Sequence, residues 1–130
     1  MDQPKFSQIH HLAIIASDYE QTKHFYVDIL NLPIIRENIR PDKGDAKLDL
    51  ALADGTELEI FIKPDAPDRP SYPEALGLRH LAFTTNQINE TIAYLKEQGV
   101  TVEPLRTDDF THKQMTFFYD PDMLPLELHE

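Results

Sequence analysis

The sequence predicts an α+β fold made of two tandem βαβββ modules, and three observations carry that prediction. Leu78-Arg79-His80-Leu81-Ala82-Phe83 repeats Ile9-His10-His11-Leu12-Ala13-Ile14 almost residue for residue, carrying one histidine from position 11 to position 80. Leu58-Glu59-Ile60 recurs as Leu126-Glu127-Leu128 at nearly the same offset. Between these motifs each half runs strand, helix, then three strands, and self-similarity at a fixed period is the mark of a duplicated unit. Two half-size modules in 130 residues must share a core to be stable, so one domain is expected over 1–130. Module one covers about 6–62, a linker about 63–77 and module two about 78–129.

Ile9 to Ile15 is short, apolar and β-branched, as a strand requires. Ser17-Asp18-Tyr19-Glu20 has the Ser-x-x-Glu spacing of a capping box, which predicts a helix start there. Tyr19, Thr22, Phe25, Tyr26, Ile29 and Leu30 then recur at three- and four-residue intervals until Asn31 and Pro33 stop the helix. Pro33 to Glu37 and Lys47 to Ala53 read as strands, the second alternating Leu48, Leu50 and Leu52 with polar or small neighbours. Asp54-Gly55 predicts a two-residue type I′ hairpin turn, with Glu57 to Ile62 returning. Pro64, Pro67, Pro70 and Pro73 exclude helix interior and central strand from 63–77, leaving a solvated linker that also has the option of covering a cavity. Leu78 to Thr84 is the second opening strand. A helix follows from about Asn86 to Gln98, with Ile88, Ile92 and Leu95 on one face and Gly99 at its left-handed end. Thr101 to Arg106, Gln114 to Tyr119 and, after the Asp120-Pro121-Asp122-Met123 turn, Leu124 to His129 are the last strands.

Composition narrows the function. With 41% hydrophobic and 27% charged residues the chain is an ordinary globular protein rather than a disordered one. The absence of cysteine removes disulfides, thiolate ligands and a cysteine nucleophile together. A net charge of −11 and no basic stripe argue against nucleic acid and against acidic membrane surfaces. No apolar run approaches the roughly 18 residues of a membrane span, and Met1-Asp2-Gln3-Pro4-Lys5 does not open a secretory signal, so the cytoplasm is expected.

Alternate strand residues face opposite sides of a sheet. Leu58, Ile60 and Ile62 therefore share one face and Glu57, Glu59 and Phe61 the other, while Leu124, Leu126 and Leu128 oppose Pro125, Glu127 and His129. An antiparallel sheet with one wet face would put either glutamate outward with no further purpose, and a lone strand histidine is commonly structural. The paired recurrence is what argues otherwise. His11 and His80 hold the same place on the first strands, and Glu59 and Glu127 the same place on the fourth. If first and fourth strands are neighbours, each module offers one imidazole and one carboxylate from one face. Two modules related by a pseudo-twofold axis then surround one divalent ion with two nitrogens and two oxygens. That donor set suits zinc or nickel first, and iron, manganese or cobalt also. His11 precedes Leu-Ala-Ile as His80 precedes Leu-Ala-Phe, so His11 is the ligand and His10 is expected on the other face. His129, about 7 Å beyond Glu127 at strand rise, is a distant alternative.

Taken together, His11-Leu12-Ala13-Ile14, Glu57-Leu58-Glu59-Ile60-Phe61, Gly77 to Phe83 and Phe117 to Leu128 resemble the vicinal oxygen chelate superfamily over essentially the whole chain, and most closely its glyoxalase I-like branch. The resemblance implies the glyoxalase/dihydroxybiphenyl dioxygenase-like fold, a curved mixed sheet around a metal cleft. Met123 departs from the pattern, standing where such proteins often have Gly after Asp-Pro-Asp, and no insertion for gripping a glutathione tail is visible.

The activity implied is that of a lactoylglutathione lyase-like metalloenzyme of methylglyoxal detoxification. It isomerises the hemithioacetal of a 2-oxoaldehyde and a small thiol to a 2-hydroxyacyl thioester. Glu127, and by symmetry Glu59, is the implied base. Arg36, Arg106 and Lys113, with Arg79 and His112 beside them, are candidates to anchor an anionic small-molecule substrate, each equally readable as a solvated strand-end charge; Arg79 is expected to be a bystander. The alternatives are another metal-dependent enzyme of the same fold (dioxygenase, thiol transferase or epimerase) or a non-catalytic small-molecule binding protein. A homodimer is expected, with the four ligands drawn from one chain or from two.

Overall fold

A computed structural model describes residues 2–130, and these fall into two compact units that divide between Ala66 and Pro67. The division falls inside the predicted linker. The α+β class and the duplicated module are as the sequence predicts, since each unit carries a four-stranded mixed sheet with the same internal order.

In the first unit β1 (His11–Ala16) leads to α1 (Tyr19–Lys23), then β2 (Ile34–Arg40), β3 (Asp45–Ala51) and β4 (Glu57–Ile62), with sheet order β1-β4-β3-β2. β1 and β4 are parallel, and the other pairings are antiparallel. The cap of α1 is Asp18, whose carboxylate accepts from the Gln21 N–H at 2.8 Å, one residue later than the Ser17 spacing predicts. Beyond Lys23 the helix widens into a π-helical segment, His24–Ile29, closed by Leu30 N–H donating to the Phe25 carbonyl. The predicted face survives this change: Thr22, Phe25, Tyr26 and Ile29 are all buried. Tyr26 joins Leu48, Leu50, Leu58 and Ile60 among the fully buried side chains, so the apolar alternation on β3 and β4 faces inward as predicted.

The Asp54-Gly55 turn is not type I′. Leu52 N–H donates to the Thr56 carbonyl and Gly55 N–H to that of Leu52, and of the central residues only Gly55 has positive φ, at 92°. This is a three-residue loop, a type I turn closed by a left-handed glycine. β2 also runs three residues further than predicted, to Arg40, because Arg40 pairs with Asp45 through two hydrogen bonds across the strand end.

The second unit repeats the plan. β5 (Leu81–Thr84), α2 (Ile88–Glu97), β6 (Arg106–Thr107), β7 (Gln114–Tyr119) and β8 (Pro125–His129) give sheet order β5-β8-β7-β6, with β5 and β8 parallel. Gly99 ends α2 at φ 80°, as expected. Both opening strands start later than predicted, at His11 and Leu81, where pairing with β4 and β8 begins. The predicted Thr101–Arg106 strand shrinks to an isolated Val102–Phe118 bridge and the two residues of β6. Pro104 interrupts it, having no N–H for a ladder, and Thr116 Oγ1 donates instead to the Glu103 carbonyl at 2.7 Å. The linker is more than a tether: from Pro67 onward it belongs to the second unit, where Arg69 donates to the Arg79 carbonyl at 2.5 Å. No helix among the described residues is long and apolar enough to cross a membrane.

The turn before β8 carries strain. Asp120 is buried and its Oδ1 accepts from the N–H groups of Asp122 and Leu124, both at 2.9 Å, which forces Met123 to φ 66°. A Cβ in this region costs about 1–2 kcal/mol, and the exposed Met123 side chain returns little packing. Met123→Gly is expected to stabilise the fold by about 0.5–1 kcal/mol, after the entropy of the freer glycine in the unfolded chain is subtracted, raising Tm by a few degrees. A lower Tm in a thermal melt would contradict this account of the turn.

Candidate metal centre

Two His–Glu pairs form, one in each unit. His11 Nε2 lies 3.4 Å from Glu59 Oε2, and His80 Nε2 lies 3.1 Å from Glu127 Oε1. Their registers are identical. Glu59 pairs with Ala13, two residues after His11, and Glu127 pairs with Ala82, two residues after His80. A two-residue step returns the side chain to the same sheet face, so each histidine stands beside its glutamate across a parallel strand pair. His11 is the more open, its side chain 44% exposed against 25% for His80, while both glutamates are sheltered.

The separations suit a shared cation. Two donors at about 2.1 Å from one ion stand roughly 3.0 Å apart at a right angle and about 3.4 Å apart at the tetrahedral angle. With no cysteine in the chain, imidazole nitrogen and carboxylate oxygen are the donors on offer. Among the described residues, no group of three or more His, Asp or Glu is gathered to hold an ion; each pair supplies two donors.

The surroundings of the pairs differ. In the first unit Lys47 Nζ approaches Glu59 Oε1 at 3.0 Å, and the neighbouring carboxylate holds the ammonium's pKa above its ordinary value. Asp49, directly opposite Glu59 on β3 and almost wholly buried, accepts from Arg36 Nε at 2.9 Å, and Arg36 also reaches Glu57 at 2.5 Å. Arg36, a predicted substrate anchor, is thus held by two carboxylates. In the second unit Phe117 takes the place of Asp49, opposite Glu127, and Met115 that of Lys47. The Phe117 ring meets the His80 ring edge-on at 5.0 Å and lies beneath the guanidinium carbons of Arg79 and Arg106, at 5.7 and 5.3 Å. The first pair is therefore bordered by a salt-bridge network and the second by an aromatic ring that carries two guanidiniums.

This difference yields a prediction. Lys47 presents positive charge to the carboxylate an incoming cation would need, and module two has methionine there. Lys47→Met is expected to tighten divalent-metal binding on the order of tenfold in a chelator competition at low salt. Unchanged or weaker binding would contradict the role assigned to Lys47.

Other expectations fare variously. His10 does not turn away from His11: it precedes β1, and the two Nδ1 atoms lie 2.9 Å apart, one donating to the other. Arg79 holds the corresponding place in module two, its guanidinium 3.4 Å from His80 Nδ1. His129 is tied to Thr111 at 3.2 Å and to Asp108 at 3.6 Å. Lys113 lies in the adjoining turn, where its carbonyl accepts from Asp108 N–H; His112 shares that turn at φ 62°. Phe117 was not legible as a site residue, although its alternation on β7 opposite Glu127 was the available signal.

A family model described as the Glyoxalase/Bleomycin resistance protein/Dioxygenase superfamily matches residues 8–128. The chain is similar to a glyoxalase family protein of known crystal structure from Enterococcus faecalis, at 64% identity and a TM-score of 0.90, covering 96% of this chain and 98% of that one. It is 52% identical to the uncharacterized protein YwkD of Bacillus subtilis (strain 168), over 94% of this chain and 95% of the relative. It is 29% identical to the metallothiol transferase FosB of Staphylococcus saprophyticus, over 93% of this chain and 75% of the relative.

Proposed function

The chain belongs to the Glyoxalase/Bleomycin resistance protein/Dioxygenase superfamily, and from that premise we propose that it is a metal-dependent glyoxalase I-like lyase. His11, Glu59, His80 and Glu127 together hold one divalent ion, zinc or nickel first. The substrate is the hemithioacetal of a 2-oxoaldehyde such as methylglyoxal with a small thiol, and the product a 2-hydroxyacyl thioester. The observation that supports this reading is the doubled pair in identical register, which supplies two carboxylates where one would suffice to complete a three-ligand site.

When bound, the ion would supply Lewis-acid stabilisation of the negative charge that grows on the substrate. The chain's own residues do the rest. Glu127, 8% exposed and opposite Phe117, takes the proton from C1 of the hemithioacetal. The electron pair left behind moves into the C1–C2 bond and onto the C2 carbonyl oxygen. Glu127 then returns the proton to C2 while the C1 hydroxyl gives its proton to the C2 oxygen and becomes the thioester carbonyl, so two hydrogens have moved between neighbouring positions with no oxidant or reductant required. A carboxylate suits this task when little water competes for it and it lies within hydrogen-bond reach of the proton. Glu59, with Lys47 beside it, is the more strongly neutralised carboxylate and takes the lesser part. The pairs come from one chain or from two in a homodimer.

The second reading, a metal-dependent thiol transferase, is favoured by the identity to FosB. Metal-reconstituted protein assayed with methylglyoxal and several thiols, for thioester formation, separates the two. The lyase reading expects thioester with at least one thiol. Thiol addition to an epoxide such as fosfomycin, without thioester from methylglyoxal, would overturn it.

A further inference from the structure

We infer that Asp49 is a positioning residue for the first His–Glu pair: when a divalent ion takes Glu59, the Lys47 ammonium leaves that carboxylate and is received by the free oxygen of Asp49. Such a transfer rests on the metal reading above and lies wholly within module one.

The two oxygens of Asp49 are unequally used. The residue is 2% exposed, and its Oδ2 accepts from Arg36 Nε at 2.9 Å. Oδ1 is buried with no hydrogen-bond partner among the described residues. A buried carboxylate oxygen with nothing to accept from is costly, and such an atom calls for an explanation in packing or function. Lys47 Nζ stands 3.6 Å from it, beyond hydrogen-bond reach, because it is engaged elsewhere: 3.0 Å from Glu59 Oε1 and 5.3 Å from the centre of the Phe61 ring.

Strand geometry makes the exchange short. Lys47 and Asp49 are two residues apart on β3 and share one face with Glu59, which lies in register opposite Asp49. Nζ reaches an ordinary N–H···O length on Oδ1 by closing about 0.7 Å, and a lysine has a flexible four-carbon stem and three rotatable donors with which to do so. Glu59 is divided as Asp49 is: Oε2 faces His11 Nε2 at 3.4 Å, while Oε1 holds Lys47. Lys47 and a metal ion therefore compete for one carboxylate. An ion held by His11 and Glu59 repels the ammonium. With Asp49 beside it, the displaced ammonium keeps a carboxylate partner, and Oδ1 gains the hydrogen bond it lacks. Module two has Met115 and Phe117 at these two places, so neither the competing cation nor its receiver is duplicated.

Affinity for zinc and for nickel is measured by chelator competition at low salt in the parent chain, Lys47→Met, Asp49→Asn and the Lys47→Met/Asp49→Asn double variant. Asp49→Asn removes a nearby negative charge in either background, so some loss is expected in both. The loss is expected to be about fivefold greater, or more, where Lys47 is present, because only there is a displaced ammonium left without its receiver. Equal losses in the two backgrounds would make Asp49 a background charge and overturn the proposal. A second measurement leaves Asp49 intact and uses no metal. Glu59→Gln is expected to shift the Asp49 Cγ NMR signal as Lys47 moves onto Oδ1, by an amount that the same substitution does not produce in the Lys47→Met chain. The same shift in both backgrounds, or none in either, overturns the proposal. Failure of the parent chain to bind either ion overturns the metal reading and this one together, whereas metal binding with equal losses overturns this one alone.

Discussion

Glu127→Gln is expected to lower kcat by about a thousandfold, within the 10²–10⁴ range of general-base catalysis, while metal content stays largely intact. Glutamine is nearly isosteric, so the strand register with Ala82 and Phe117 and the buried neighbours Leu126 and Leu128 are undisturbed. What disappears is the capacity to hold a proton between the two carbon centres. Three charged or imidazole donors remain, and the amide oxygen still faces His80. Steady-state kinetics of the metal-loaded variant beside its metal content gives the test. Full activity would remove Glu127 from the base role, and a matched loss of metal and activity would make it a ligand without a demonstrated proton-transfer part.

The second large effect concerns the histidines. Structural zinc sites are worth about 10–16 kcal/mol, so one of four ligands is worth roughly 3 kcal/mol, or about a hundredfold in affinity. His80→Ala and His11→Ala are each expected to weaken metal binding by about that factor. The two effects should be similar because the pairs share one register. Neither histidine is part of the buried core, so the metal-free melting temperatures of both variants should stay close to that of the parent chain. Isothermal calorimetry with zinc or nickel measures the affinities. A His11 variant that binds metal as tightly as the parent chain would reduce the site to three ligands, and with it the case for a lyase over a thiol transferase.

Much of this was legible in the sequence because duplication tests itself. One histidine on a strand says little, whereas His11 and His80 at matched places, with Glu59 and Glu127 at matched places, specify a register, and parallel β1–β4 and β5–β8 pairing brings each couple together. Apolar alternation over Leu48, Leu50, Leu58 and Ile60 located the inner faces for the same reason: a period of two leaves no freedom in which side is buried. Local backbone choices were harder to read. Ser17 and Asp18 are both good caps, and the Asp18 carboxylate is the side-chain group that accepts from the Gln21 N–H. Asp54-Gly55 fits two hairpin loops that differ by one residue, and only the Leu52–Thr56 hydrogen bond distinguishes them. The placement of His80, Arg79 and Arg106 around the Phe117 ring depends on side chains converging from the approach to β5, from β6 and from β7, which no single-strand periodicity encodes. Asymmetry between modules was equally hidden, since Lys47 and Met115 become equivalent only once the strand registers are known.

Whether the two His–Glu pairs serve one ion is tested most directly by metal stoichiometry. Purified protein is saturated with zinc, nickel or manganese, freed of excess by gel filtration and analysed for metal per chain. One ion per chain is predicted, with the Glu59→Gln/Glu127→Gln double variant falling well below that. Less than a tenth of an equivalent of any of these metals would contradict the claim and favour a small-molecule binding protein. Two ions per chain, with one remaining after His11→Ala, would contradict it differently, by making each pair a site of its own.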